Sequence, residues 1–126
     1  MTTREEAWDQ TERMITSNRT EHNRMIAKAE RLERAGTEAG CLKGLYIRLL
    51  DQRRRVLGAW AVLHNTAEEM HSPAKKLAME HDAGQFRQQI QEVDAQILDV
   101  AGDLAKHGIK IRATKRMTDF AKEFNP

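Results

Sequence analysis

The chain has 126 residues, 40% hydrophobic and 32% charged, with a formal net charge of +2 and a mean hydropathy of −0.72. That length sets the expectation of one domain (1–126), and the modest apolar share allows only a thin core. Only two prolines and seven glycines argue against an all-β or a disordered chain. With Cys41 as the only cysteine there is no intramolecular disulfide, which suits a reducing compartment. The opening Thr2-Thr3-Arg4-Glu5-Glu6 carries acids where a secretory leader needs an apolar run. The longest uncharged apolar run, Val56 to Leu63, is far short of a membrane span. A cytoplasmic protein with no membrane span is therefore expected.

Thr3 followed by Glu6 has the spacing of a capping box and predicts a first helix over about 4–35. Its apolar positions are Trp8, Ile15, Met25, Ile26, Ala29 and Leu32. His22 takes one stripe position, where a hydrogen-bonded, partly buried histidine is expected. Thr11 and Asn18 stand where a clean seam wants leucine, so this helix docks less firmly than the others. Gly36 is placed to end it as the C′ residue.

Thr37 is the expected cap of a second helix, over 38–71. Gly40 and Gly44 in its first turns mark either a close helix crossing or a frayed start. Beyond them Leu42, Leu49, Val56, Leu63 and Met70 repeat every seven residues, interrupted by Gln52 and Arg53. Ser72-Pro73 is the order of an N-cap and N1 pair and predicts a third helix over 73–107. Phe86, Ile90, Val93, Ile97, Val100 and Leu104 form its stripe, and Gly108 its C′ terminator. The connections are short, so the fold class is all-α: an antiparallel three-helix bundle built on a long helical hairpin. In the basic segment 108–126, Ile109-Lys110-Ile111-Arg112 alternates with period two. Met117, Phe120, Ala121 and Phe124 then space as one face of a short C-terminal amphipathic helix.

Charge is uneven along the chain. Residues 71–104 carry three cations against six acids, and residues 105–126 six cations against two acids. Arg48, Arg53, Arg54 and Arg55 form a second basic cluster. Two readings of it compete: internal pairing with Asp94, Asp103 or acids of the first helix, and contact with phosphates. The candidate binding residues are thus Arg48, Arg53, Arg54, Arg55, Lys106, Lys110, Arg112, Lys115 and Arg116, with Met117, Phe120 and Phe124 as apolar docking residues.

His64, Glu68 and His71 share one helix face, but the register turns Glu68 away from the seam, and a solvated polar face is the simpler reading. Cys41 reads as a packing residue. No spacing resembles a nucleophile elbow, a metalloprotease helix or a phosphate loop, so neither an enzyme, a metal site nor a cofactor is expected. The sequence points to a non-catalytic helical subunit of a larger assembly. Its partners are other protein subunits, with basic segments contacting RNA or DNA backbone without reading bases. The alternative is a protein–protein adaptor or chaperone-like coiled coil that takes an acidic or helical partner. Homo-oligomerisation also fits, since apolar helical seams self-associate.

Overall fold

Local chemistry sets the helix ends. Thr3 Oγ1 accepts the Glu6 N–H at 3.1 Å, and Thr37 Oγ1 accepts the Gly40 N–H at 3.0 Å, each satisfying an amide that the first helical turn leaves without a partner. Gly36 and Gly108 adopt φ of 68° and 75°, the left-handed conformation that ends helices. At the second of these the Gly108 N–H reaches Ala105 O and the Ile109 N–H reaches Leu104 O, both at 3.0 Å. This is a Schellman closure, and it turns Ile109 back onto the core.

The structure is a computed structural model that describes residues 3–17 and 19–111, the side chains of 14–17 excepted. Its elements are α1 (Arg4–Ser17), α2 (Arg19–Glu33), α3 (Glu38–Glu69) and α4 (Pro73–Lys106), and no strand occurs among the described residues. The all-α class is as expected. Within the span expected for the first helix lie α1 and α2, on either side of residue 18, which is outside the described residues. The expected amphipathic helix of Met117, Phe120 and Phe124 lies outside the described residues.

The chain forms two compact units. One combines Met1–Asn18 with Arg54–Ile90, the other Arg19–Arg53 with Gln91–Pro126. In the first, Ala7 of α1, Leu63 and Ala67 of α3, and Met79 and Ala83 of α4 form the core, edged by Trp8, Trp60, Met70 and Phe86. Trp8 and Phe86 meet as tilted rings 5.6 Å apart. Thr11, fully buried, is satisfied by donating to Ala7 O at 2.8 Å. In the second unit Leu49 of α3 packs with Val93, Ile97, Val100 and Leu104 of α4. Leu42, Tyr46, Leu50, Ile109 and Ile111 flank them, and burial pushes the Tyr46 hydroxyl pKa up. Of the seam residues, Leu49, Leu63, Ile90, Val93, Ile97, Val100 and Leu104 are buried, while Leu42, Val56, Met70 and Phe86 are half-buried.

The glycines at the start of α3 mark a close crossing, not a frayed start. A Cβ on Gly40 would lie 2.5 Å from Leu32 O, and one on Gly44 2.5 Å from Glu33 Cγ. Both contacts are with the C-terminal turn of α2. Cys41, expected to pack, is exposed: its neighbour Gly40 takes the buried position against α2, which turns Cys41 outward. Among the described residues no helix is long and apolar enough to cross a membrane.

Two glycine substitutions should separate crowding from helix propensity. Gly40→Ala forces a methyl into a backbone carbonyl and should lower the unfolding free energy by about 1–3 kcal/mol in urea titrations. Gly102→Ala, in α4 with open space at its Cβ, should raise it by about 1 kcal/mol.

Candidate functional site

Buried carboxylates organise both units, and each draws a cation or imidazole from another helical segment. In the first unit Asp82 of α4 is 4% exposed and accepts from Arg4 Nε at 2.7 Å, Arg4 Nη2 at 2.9 Å and Trp8 Nε1 at 3.0 Å. The paired hydrogen bonds from Arg4 hold the Asp82 carboxyl below the usual carboxylate range, against the opposing effect of burial. Arg4 keeps 57% of its side chain exposed, so it spans from the buried carboxylate to solvent.

Beside Arg4 lies an open groove of about 650 Å³. Thr3 and Arg4 at the start of α1, Met70, His71 and Ser72 of the α3–α4 connection, and Ala74, Lys75 and Ala78 of α4 line it. Ala74 and Ala78, one turn apart, give it a shallow apolar floor with Met70. No acid lines it, and Lys75 and His71 have no ion-pair partner among the described residues. His64, expected on the same polar face as His71, stacks on Trp60 with ring centroids 4.8 Å apart. Among the described residues no group of three or more His, Cys, Asp or Glu side chains is arranged to hold a metal ion.

In the second unit Arg48 grips Glu33 with two hydrogen bonds, Nε to Oε1 at 2.7 Å and Nη2 to Oε2 at 3.1 Å. This lowers the Glu33 carboxyl pKa and raises that of Arg48. Arg53 Nε donates to Asp94 Oδ1 at 2.6 Å, with both side chains under 10% exposed. The polar break at Gln52-Arg53 is thus half filled by a buried ion pair, Asp94 supplying the counter-charge from the α4 stripe. His22 Nδ1 lies 2.5 Å from Oδ2 of the buried Asp51, within hydrogen-bonding distance. Near the end of α4, Lys106 Nζ is 3.6 Å from Asp103, and His107 Nε2 is 3.6 Å from Glu38.

Of the residues expected to contact phosphates, Arg48 and Arg53 are therefore engaged with internal carboxylates, and Arg54 and Arg55 are half-buried. Lys106 and Lys110 are exposed. Arg112, Lys115, Arg116, Met117, Phe120 and Phe124 lie outside the described residues. Asp82 and Asp51 were missed at the sequence level. Asp82 had a usable signal: counted back from Phe86 and Ile90, the three–four spacing of the α4 stripe reaches Asp82–Ala83 and then Met79, as it reaches Asp94 beside Val93. Asp51 is off the heptad stripe, and only the approach of α2 explains its burial.

No family model, no curated protein and no solved structure matches this chain. The reading of function accordingly rests on the side chains themselves.

Asp82 and Glu33 both have folded-state pKa values below their unfolded ones. Their contributions are present above the unfolded carboxylate range and are lost as pH falls through the folded values. Asp82→Asn turns an acceptor towards the donors of Arg4 and Trp8 into a group with donors of its own. Urea unfolding followed by tryptophan fluorescence should show a loss of about 1–3 kcal/mol at pH 7. The variant should also lose less stability than the parent between about pH 5 and pH 2.

Proposed function

We propose that this chain is a non-catalytic helical subunit that works by binding another protein. The observation that carries the reading is the commitment of Arg48 and Arg53 to Glu33 and Asp94. A guanidinium held in a two-bond fork or buried with its carboxylate would have to abandon that partner to meet a phosphate. At Arg48 and Arg53 the internal-pairing reading of the basic cluster is thereby favoured over contact with phosphates. The protein-binding reading draws further support from large apolar side chains left at the surface, Leu45, Leu77 and Leu98, the second of them 67% exposed. The antiparallel helical hairpin of α3 and α4 is the architectural part of the proposal. It is supported by the Leu63–Met79 core in one unit and the Leu49–Val93 core in the other.

A second reading retains contact with RNA or DNA backbone through the end of the chain. Exposed Lys106 and Lys110 favour it, together with the excess of cations over residues 105–126. Such binding would be electrostatic and indifferent to base sequence.

Fluorescence anisotropy with labelled single-stranded RNA and duplex DNA separates the two. On the protein-binding reading, neither probe binds saturably at about 150 mM salt, and Arg48→Gln leaves any low-salt binding unchanged. Binding that survives at that salt, falls steeply as more is added and weakens in Lys106→Gln/Lys110→Gln would establish the second reading instead.

A further inference from the structure

The groove at the α3–α4 connection has an apolar floor, a cationic rim and, among the described residues, no acid in its lining. Its floor is Met70, Ala74 and Ala78. Met70 packs inward against the first unit's core, so the groove lies directly over that core. Its rim carries Arg4 and Lys75, with His71 beside them. Among the described residues Asp82 is the only polar side-chain partner of Arg4, and Asp82 uses Nε and Nη2. The outer edge of the guanidinium therefore stays open to an acceptor arriving from solvent. Among the described residues Lys75 has no counter-ion.

We infer that this groove docks an acidic amphipathic helix of a partner protein. The inference rests on the protein-binding reading above and names the chemistry of that partner. The partner's apolar ridge would lie on Ala74 and Ala78, whose small side chains let a helix approach closely, with one large apolar side chain against Met70. Carboxylates flanking that ridge would meet Lys75 and the free edge of Arg4. Charge complementarity selects the occupant: a basic helix would bring like charges onto Lys75 and Arg4, and a neutral one would leave Lys75 without a partner at the rim. Arg4 is well suited to the task because Asp82 already fixes its orientation, so little side-chain freedom is lost on binding.

The test uses the full chain, isotopically labelled for amide and methionine-methyl NMR. The first probe is a synthetic amphipathic helix with leucines along one face and glutamates on both flanks. The second carries lysines in place of the glutamates, and the third serines in place of the leucines. The expected result is saturable binding of the first probe alone, with shifts concentrated at Thr3, Met70, Ala74 and Ala78. Ala74→Glu/Lys75→Glu fills the floor and reverses the rim, and acids in the first turn of α4 favour the helix, so the variant should melt as the parent does. It should bind the glutamate probe at least about tenfold more weakly.

Equal binding of the glutamate and lysine probes would overturn the inference, as would shifts outside the groove or parent-like binding by the variant. Binding outside the groove would leave the protein-binding reading standing. Absence of any peptide binding combined with saturable nucleic-acid binding would remove both. Groove shifts produced by decanoate but by no peptide would assign the site to a small apolar acid. Concentration-dependent self-association abolished by Ala74→Glu/Lys75→Glu would assign it to a second copy of this chain, and either result would overturn the acidic-helix partner.

Discussion

The constraint on which the rest of this structure depends is the burial of carboxylates in a thin helical core. Asp82, Asp51 and Asp94 are each nearly inaccessible. A buried carboxylate without a partner is too costly to keep charged, so every one of them dictates what must come to it. Arg4 and Trp8 come to Asp82, His22 to Asp51 and Arg53 to Asp94. Apolar seams tolerate sliding by a turn, since one leucine replaces another. A paired charge does not, because a shift of one turn leaves the carboxylate buried alone. These pairs therefore specify register in units whose apolar contacts are few and small.

The same economy shapes what the surface offers. Cations that look available in the sequence are spent on these internal partners, and Glu33 takes Arg48 as well. Among the cations that the fold leaves unspent are Lys75 and the open edge of Arg4 around an apolar floor. Arg4 links the two roles: it stabilises the buried Asp82 and, at the other edge of its guanidinium, faces solvent. The interaction that ties α1 to α4 in the first unit is thus also the one that prepares a cation at the groove.

Much of the fold was legible because it depends on short-range rules. Thr3, Thr37, Gly36 and Gly108 cap and end helices by contacts within a few residues, and the heptad spacing of Leu49, Leu63, Ile90, Ile97 and Leu104 needs only helical periodicity. His22 was readable as a hydrogen-bonded, partly buried residue, although its partner was not. Cys41 was misjudged because its burial depends on which face the neighbouring glycine presents to α2.

By itself, the sequence determined the all-helical class, the ends of the helices and the apolar seams, all of which follow from backbone hydrogen bonding and side-chain period. Only the tertiary structure decided which charges are internal and which remain for a partner. Arginine and aspartate have the same local signature whether they pair across helices or face water. Asp94 and Asp99 are both acids on α4, yet one is buried against Arg53 and the other is exposed. Pairing across helices depends on distances between segments far apart in the chain, and that information appears only once the helices are packed.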